Sequence, residues 1–561
     1  MTDTTTSSQP VDGFAGALFK MGAAVARRPW RTLPNAAQLT ADVAAATVRT
    51  TALALGRPVA PVVEPPPKDR RFTDPAWQSN PWFFGAGQMY LAWSRFMRDV
   101  AAGAVRAGPG LDDSTAQKAR FAVEALLDAA APTNYLPTNP EALRRAVETR
   151  GESLRDGLRN LADDLDTNGG RPSQVDRSSF RLGENLAATP GQVVFRNDLM
   201  ELIQYAPQTE TVYETPLLLS PPWINKYYIM DLAPGRSFVE WAVQQGHTVF
   251  AISYRNPDES MRDVALDDYL LRGLNQAVDV VRAITGHDQV NVAGLCVGGT
   301  LAVALLAYLA HGAQPNPVRS VTLLNTLVDF REPGPLGCFT DPAAVERVEA
   351  RMAERGYLDE REMATTFDFL RANDLIWNYV ARGWLMGERP PAFDILAWNA
   401  DSTRVSEATH SFYLRSCYVE NQLATGRMTL AGRRLDLDEI EADAYLLAAK
   451  EDHITPWTGS YGTTGLLPSR MRFVLSSSGH IAGIVNPPNS KRRYWTNDDL
   501  PPDPTAWFAG ATEHTGSWWG DWTEWIAARA GQRRRPPHSL GNAEYPPQTP
   551  APGTYVRSEM P

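Results

Sequence analysis

The chain has 561 residues, of which 43% are hydrophobic and 21% are charged, and its formal net charge is −10. This length is more than one compact core usually organises, so it predicts two or more folded domains. A net negative charge provides no general attraction to nucleic acid or to anionic lipid, and we expect no nucleic-acid partner.

The cysteines are Cys296, Cys338 and Cys417, which are too few for a disulfide framework and stand at no metal-ligand spacing. We therefore expect a reducing, cytoplasmic location, and the sequence indicates neither a metal nor a cofactor. The first ten residues lack the basic and apolar regions of a secretory signal. No apolar run approaches the ~18 residues that span a bilayer, so we expect no membrane span.

Residues 1–70 are predicted to be poorly ordered or amphipathic and to end in a proline-rich linker. Within them, the apolar residues between Phe14 and Met21 fall roughly on one helical face beside a few cations. Such a face suits a helix that binds an apolar surface, or equally one that packs on its own protein. From residue 71 to about 190, apolar residues recur at spacings of three and four, which predicts a mostly helical N-terminal domain.

From residue 191 to about 530, short β-rich runs alternate with helical segments, which predicts a parallel sheet covered by helices on both faces. Between about 329 and 439 the alternation stops, and we expect this aromatic-rich helical segment to form a cap or an interface. Trp518, Trp522 and Trp525 have helical spacing, which indicates a terminal helix packed on the sheet or, alternatively, a surface-binding helix. Residues 531–561 are predicted to be a disordered, polar tail.

The segment that organises the chain is residues 290–309, which have the pattern of a strand, a tight turn with Cys296 at its apex, and a helix. Gly294 and Gly298 stand two residues on either side, as in a nucleophile elbow. We expect Gly294 to let the strand end pack on its neighbour, and Gly298 to let the helix start close to the sheet. The alternative is a small buried thiol beneath a turn. The pattern favours Cys296 as a nucleophile.

Asp452 and His480 each follow a predicted strand, downstream of Cys296. Nucleophile, acid, histidine is the chain order of the α/β-hydrolase triad, and parallel sheets place their sites at the carboxyl ends of strands. We therefore predict an α/β-hydrolase fold with the triad Cys296, Asp452 and His480. Glu451 would replace Asp452 only after a register shift, and we assign His453 a structural role.

A thiol at the elbow suits an enzyme that keeps its acyl group activated, because thiolate attack on a thioester exchanges one thioester for another. His480 would take the thiol proton, while Asp452 would orient the imidazole and stabilise its cation. The oxyanion needs two backbone N–H groups. We predict that Val297 supplies one, and that the loop after residue 220 supplies the other at Trp223 or Ile224.

Several motifs resemble the bacterial polyhydroxyalkanoate synthases of the single-subunit kind. They are the elbow at 294–300 and residues 221–232, 373–379, 393–401, 452–457 and 478–480. The resemblance covers residues 71 to 556 and implies polymerisation of (R)-3-hydroxyacyl-CoA into polyester with release of CoA. It also implies that Cys296 is the acylated nucleophile, His480 the general base, and Asp452 a carboxylate that helps to activate the attacking 3-hydroxyl.

The resemblance further implies a homodimer formed through the cap, which works at the surface of polyhydroxyalkanoate granules beside coating proteins called phasins. Residues 168–170, 196–205 and 553–556 look most like synthases of medium-chain monomers, whereas the elbow looks more like the short-chain kind. We lean slightly towards short chains. Poly(3-hydroxybutyrate) is then the expected product.

Two other functions remain open, because a triad by itself does not name the acyl acceptor. An α/β-hydrolase-fold thioesterase or a dienelactone-hydrolase-like enzyme would pass the acyl group to water. A granule-surface scaffolding protein would be held by the regions around Phe14 and Trp518 and would need no catalysis.

Overall fold

The structure is a computed structural model that describes residues 13–67, 69–106, 111–312 and 315–557. It contains two compact units. The first comprises the described residues up to Asp176 together with Thr365–Pro391, and the second comprises Arg177–Ala364 with the described residues from Ala392 onward. The segment predicted as a cap, residues 329–439, is therefore divided between the two units.

The N-terminal part of the first unit is helical, as the spacing of its apolar residues predicts. Asp112 and Asn139 each start a helix by accepting a hydrogen bond from a backbone N–H three residues later. The helices are α1 (Phe14–Arg27), α2 (Leu33–Ala54), α3 (Ala76–Ser79), α4 (Pro81–Arg106), α5 (Asp113–Ala129), α6 (Pro140–Glu148) and α7 (Glu152–Thr167).

The segment at residues 14–54 has more regular structure than its composition predicts, because it forms α1 and α2. Ala17 and Met21 of α1 are buried in one apolar cluster with Ala101 of α4 and Ala119 of α5. This cluster explains the order of the segment. Phe19 of α1 is 75% exposed, so the same helix also presents an apolar side chain to solvent.

Thr365–Pro391 belongs to the first unit through its contacts with α7. The Trp384 indole N–H donates to Asp164 at 2.7 Å, and the Asn160 amide donates to the carbonyl of Gly383 at 2.9 Å. A Cβ at Gly157 would lie 2.0 Å from the Trp384 carbonyl oxygen. This close approach of two backbones is possible only at a glycine.

The second unit is built on one sheet of eleven strands among the described residues. Its strands are β1 (Gly191–Arg196), β2 (Met200–Tyr205), β3 (Leu217–Ser220), β4 (Val249–Tyr254), β5 (Val290–Leu295), β6 (Val318–Leu324), β7 (Asp443–Ala449), β8 (Met471–Ser476), β9 (Arg493–Thr496), β10 (Thr512–Thr515) and β11 (Thr549–Pro550). The residues of β3 and β5 are all buried, as expected for central strands covered on both faces.

The spatial order of the strands is β10, β9, β8, β7, β6, β5, β3, β4, β2, β1, β11. Strands β4, β3, β5, β6, β7 and β8 are parallel to their neighbours in this series, and the outer strands pair antiparallel. The crossover of β3 and β4 and the mostly parallel sheet confirm the predicted α/β-hydrolase fold class.

Helices cover the sheet, and a mostly helical segment separates β6 from β7 along the chain. They are α8 (Phe238–Gln244), α9 (Leu266–Asp268), α10 (Gln276–Thr285), α11 (Val297–Ala310), α12 (Pro342–Arg355), α13 (Glu360–Leu370, which crosses the boundary between the units), α14 (Asp394–Asn399), α15 (Glu407–Tyr413), α16 (Trp457–Tyr461), α17 (His480–Ile484), α18 (Pro504–Ala509) and α19 (Trp519–Ala527). None of the helices in the described residues has the length and apolar character needed to cross a membrane.

The prediction of a disordered tail after residue 530 is wrong for the described residues. Arg533–Arg534 pairs with Val212–Tyr213, and β11 pairs with β1. The fully buried Glu201 carboxylate accepts hydrogen bonds from the N–H groups of Thr554 and Tyr555 at 2.9 and 3.0 Å. The tail therefore obtains its order from backbone partners on the sheet, which its own composition does not indicate.

The tryptophan-rich helix α19 packs inside the second unit. Trp522 is fully buried, its indole N–H donates to the Thr322 hydroxyl at 3.0 Å, and its ring centroid lies 4.6 Å from that of Phe238. Trp518 and Trp519 are also buried. The packed-helix interpretation therefore describes these three tryptophans.

We predict that Trp522→Ala lowers the free energy of unfolding by about 3–5 kcal/mol, because a large aromatic side chain leaves a cavity. Chemical denaturation followed by circular dichroism measures the change. Trp525→Ala on the same helix is the control and should cost clearly less, because Trp525 is only partly buried. Equal losses in the two variants would contradict this packing.

Candidate active site

The turn between β5 and α11 places Cys296 in a strained backbone conformation. Its φ is 53° and its ψ is −123°, outside the regions that residues with a Cβ normally occupy. The Cys296 N–H donates to the Leu324 carbonyl at 2.8 Å, which ties the turn to the end of β6. A strained residue at a strand-to-helix turn is the geometry of a nucleophile elbow.

The two flanking glycines are required by close backbone approaches, as predicted for Gly298, whereas Gly294 meets the start of α11 and not the neighbouring strand that was predicted. A Cβ at Gly294 would lie 2.5 Å from the Cα of Gly299, at the start of α11. A Cβ at Gly298 would lie 2.3 Å from the Ser220 carbonyl oxygen and 2.5 Å from that of Pro221, at the end of β3. Gly294 therefore lets the end of β5 approach the start of α11, and Gly298 lets the start of α11 pack against the end of β3.

Asp452 follows β7 in a turn that satisfies its carboxylate. One oxygen accepts from the N–H groups of Ile454 and Thr455 at 2.8 and 2.9 Å. The other accepts from the Thr455 hydroxyl at 2.7 Å and lies 2.6 Å from Nδ1 of His480. Glu451, the alternative acid, has an exposed side chain. The structure therefore brings Asp452, and not Glu451, to His480.

His480 begins α17, just after β8, and its side chain is buried. Nδ1 faces Asp452, which leaves Nε2 for the other hydrogen bond of the ring, with the Cys296 side chain. The Asn325 amide holds the main chain here by donating to the His480 carbonyl. The three residues predicted as a triad are thus adjacent, at the carboxyl ends of β5, β7 and β8.

The charges of Asp452 and His480 support one another. Burial alone would lower the pKa of His480, but the Asp452 carboxylate and Cys296 raise this pKa well above its usual value. Burial alone would raise the pKa of Asp452, but His480 and the hydrogen bonds from Thr455 lower it below its usual value. The site can therefore hold an imidazolium beside a carboxylate without surrounding water.

The predicted oxyanion donors lie on two neighbouring backbone segments. Val297 is the first residue of α11, where an N–H has no acceptor within the helix. Ile224 lies in the loop after β3, and the Ser220 hydroxyl ties the start of that loop to the elbow by donating to the Gly298 carbonyl at 3.1 Å. The start of this loop is thus tied to the elbow two residues from Cys296, and the place of the Ile224 N–H in an oxyanion site stays a prediction.

Aromatic side chains cover the thiol. Cys296 raises the pKa of the buried hydroxyls of Tyr413 and Tyr418, in addition to the effect of burial, so both lie close to it. Ring centroids of Phe330 and Trp223 lie 5.9 and 5.6 Å from that of Tyr413. These residues come from the second unit's part of the predicted cap and from the loop after β3, and they shield the site.

The sequence did not single out Asn325 and Thr455, although both contact the triad. Each is a short polar residue just after a strand, which is a common turn composition and no specific signal. The positive φ of Asn325, 45°, is visible only in the structure. Cys338 and Cys417 are buried, as expected of packed thiols, and burial raises the pKa of Cys417.

Two family models match this chain. Residues 68–242 match the one described as "Poly-beta-hydroxybutyrate polymerase (PhaC) N-terminus", and residues 235–487 match the one described as "alpha/beta hydrolase fold". Fold and site together define an α/β-hydrolase-fold protein with cysteine at the elbow. A solved monoacylglycerol lipase from Paleococcus ferrophilus aligns over 57% of this chain and 100% of its own, with 13% identity and a TM-score of 0.33.

Curated relatives extend over most of the chain. "Poly(3-hydroxyalkanoate) polymerase subunit PhaC" of Cupriavidus necator is 47% identical over 501 residues, 88% of this chain and 84% of the relative. "Poly(3-hydroxyalkanoate) polymerase" of Methylorubrum extorquens is 43% identical over 98% of this chain and 90% of the relative. "Poly(3-hydroxyalkanoate) polymerase 2" of Ectopseudomonas oleovorans is 43% identical over 88% of this chain and 87% of the relative. The chain belongs to the poly(3-hydroxyalkanoate) polymerase family, which confirms the resemblance seen in its motifs.

We predict that Gly298→Ala destabilises the protein by about 2–3 kcal/mol, because the added methyl group meets backbone atoms that cannot rotate away. Gly520→Ala is the matched control, since a Cβ there meets nothing within 4 Å and alanine is the better helix former by about 1 kcal/mol. Chemical denaturation compares the two. A neutral Gly298→Ala would mean that the elbow is less tightly packed than described.

We also predict that Asp452→Asn lowers the pKa of His480 by at least about one pH unit, because it removes the negative charge that raises this pKa. NMR of protein with labelled histidines, titrated with and without the substitution, measures the change. Glu451→Gln removes the neighbouring carboxylate and should leave the His480 pKa in place. If Glu451→Gln instead produced the larger decrease, Asp452 would not be the partner of His480.

Proposed function

We propose that this chain is an acyltransferase that polymerises (R)-3-hydroxyacyl-CoA into polyhydroxyalkanoate and releases CoA. The observation that carries the proposal is the hydrogen-bonded series Cys296, His480, Asp452 at the elbow of a chain in the poly(3-hydroxyalkanoate) polymerase family. A cysteine at this position suits transfer between activated acyl groups, because the covalent intermediate is itself a thioester.

The first step loads the acyl group. His480 takes the proton of the Cys296 thiol, and the sulfur attacks the thioester carbonyl of the hydroxyacyl-CoA. The N–H groups of Val297 and Ile224 stabilise the oxyanion that forms on the carbonyl oxygen. The carbon–sulfur bond to CoA then breaks, and the proton on His480 passes to the departing CoA sulfur. One thioester is lost and one is formed.

The second step extends the chain. The 3-hydroxyl of an incoming hydroxyacyl-CoA loses its proton to His480, with Asp452 supporting the base, and attacks the Cys296 thioester. An oxygen ester forms, the bond to Cys296 breaks, and the sulfur recovers a proton. The lengthened acyl-CoA then reloads Cys296 and releases CoA. The conversion of a thioester to the more stable oxygen ester favours growth.

The aromatic cover of Cys296 supports transfer to a hydroxyl in preference to water. Tyr413 and Tyr418 lie close to Cys296, which is buried with 8% exposure, and Phe330 packs against both of these rings. An acyl enzyme in such a site is protected from hydrolysis. The covered site therefore favours a polymerase over a thioesterase that uses the same triad.

The expected product is insoluble, so we propose that the enzyme works at the surface of polyhydroxyalkanoate granules, as a homodimer and beside phasins. Exposed apolar side chains on the helices of the first unit, including Phe19, Trp30 and Leu33, support contact with an apolar surface. Short-chain monomers are the preferred substrates under this proposal. The proposal includes neither a membrane span nor a nucleic-acid partner.

We predict that purified protein releases CoA from (R)-3-hydroxybutyryl-CoA faster than from a longer-chain homologue and deposits insoluble polyester. Cys296→Ala should reduce both products by more than about 10³-fold, because it removes the nucleophile. Cys338→Ala removes a buried thiol that has no role in the mechanism and should retain most activity. A thiol–CoA assay and recovery of the polymer measure both.

Two outcomes would overturn the proposal. Free hydroxy acid without polymer would make the protein a thioesterase. Polymer formation by Cys296→Ala would show that Cys296 is not the acylated nucleophile. Normal granules in cells that carry this variant would favour a scaffolding role.

A further inference from the structure

A buried lysine lies two residues after Ile224, on the loop that follows β3. The side chain of Lys226 is only 6% exposed, and its Nζ lies 2.8 Å from Asp401. The same Nζ donates to the Val556 carbonyl at 2.8 Å. A buried ammonium is costly unless it is paired, so both contacts are needed for the lysine to stay where it is.

Asp401 is satisfied on both oxygens. The second oxygen accepts from the Tyr228 hydroxyl at 2.9 Å, so one carboxylate holds two residues of the loop region. Trp398, on α14, donates its indole N–H to the Lys226 carbonyl at 2.8 Å. An isolated bridge between Asn225 and Ser402 adds a backbone connection. The segment 398–402 therefore holds the loop by both its backbone and its side chains.

The second partner of the Lys226 ammonium, the Val556 carbonyl, belongs to the C-terminal segment. Val556 is 1% exposed. The residues before it are held by Glu201 through the N–H groups of Thr554 and Tyr555, and the Tyr555 hydroxyl donates to the Asn197 carbonyl at 2.6 Å. The Val556 carbonyl is thus a fixed acceptor, and Lys226 joins it to Asp401.

Lys226 is two residues from Ile224, the predicted oxyanion donor of the loop. The loop is fixed at its start by Ser220 and in its middle by Trp223, whose ring contacts those of Tyr269 and Tyr413. Only Ile224 and Asn225 lie between Trp223 and Lys226. An oxyanion donor must be placed within about 0.5 Å, so displacement of Lys226 would move the Ile224 N–H by enough to matter.

We infer that Lys226 is a positioning residue for acyl transfer: paired with Asp401 and with the Val556 carbonyl, it holds the loop that presents the Ile224 N–H to the oxyanion. The inference rests on the proposed function. It assigns the C-terminal segment to the support of the active site, although that segment supplies no reacting group.

The first test compares Lys226→Met with Arg177→Met. Methionine keeps much of the lysine's length but removes its charge and hydrogen bonds. Arg177 lies 3.8 Å from the same Asp401 and is 54% exposed, so its loss removes a cation near the same carboxylate without freeing the loop. We expect single-turnover CoA release to fall about 10- to 100-fold in Lys226→Met and to stay within about twofold in Arg177→Met.

A second readout separates positioning from general damage. Alkylation of Cys296 by iodoacetamide, followed by peptide mass spectrometry, depends on the thiol and His480 and not on an oxyanion donor. In Lys226→Met the alkylation rate and the fraction of reactive Cys296 should remain within about twofold of the wild type. If the rate of CoA release and the rate of Cys296 alkylation fall together, or if CoA release is unchanged, Lys226 has no positioning role.

Three further variants keep the inference testable if Lys226→Met does not fold. Lys226→Arg retains the charge with a different donor geometry and should show a smaller loss of CoA release at normal alkylation. A chain that stops after Tyr555 keeps the hydrogen bonds to Glu201 but lacks the Val556 carbonyl, and it should show a loss similar to that of Lys226→Met, whereas a chain that stops after Arg557 should retain activity. Equal activity of the two shortened chains would overturn the role of Val556.

These results are distinguishable from failure of the proposed function. If wild-type protein releases no CoA from hydroxyacyl-CoA, or if Cys296→Ala releases it at the normal rate, the acyl-transfer mechanism itself is wrong. If those two controls behave as expected and Lys226→Met releases CoA normally, only the inference about Lys226 is wrong.

Discussion

The strained backbone at Cys296 is the constraint on which the site depends. A residue with a Cβ in this conformation costs about 1–3 kcal/mol, which the surrounding packing must offset. The packing is close because Gly298 lets α11 meet the backbone at the end of β3, and because Gly294 lets it meet the end of β5. The thiol is thereby held at the carboxyl edge of the sheet, where Asp452 and His480 follow the ends of β7 and β8.

Burial then determines how the polar groups behave. A carboxylate removed from water is stable only when its lone pairs are used, and Asp452 has hydrogen bonds from two backbone N–H groups, a hydroxyl and an imidazole. The same surroundings strengthen the interaction with His480. The aromatic side chains of Phe330, Tyr413 and Tyr418 make the surroundings of Asp452 and His480 less polar, which strengthens the coupling of their charges. In the proposed mechanism the same side chains would protect the acyl-cysteine from water.

Local signals made the centre of the molecule predictable from sequence. The elbow glycines, the buried strands and the order of Cys296, Asp452 and His480 are short patterns whose physical cause lies within a few residues. Asn325 was not predictable in this way, because its role depends on a carbonyl 155 residues away. The same holds for Thr365–Pro391. Its helical pattern indicates that it must pack, but the partner is α7, through contacts that span more than 200 residues.

The C-terminal segment shows why composition underestimates order. Residues 531–557 contain few large apolar side chains, so the usual test for a folded segment gives a negative answer. Their order comes from backbone groups, which pair with β1, with Val212–Tyr213 and with the carboxylate of Glu201. A segment held in this way depends on the sheet for its structure. Because Lys226 takes the Val556 carbonyl as a partner, the loop beside the thiol depends in turn on that segment, and the dependence runs from the outer strands of the sheet to its catalytic edge.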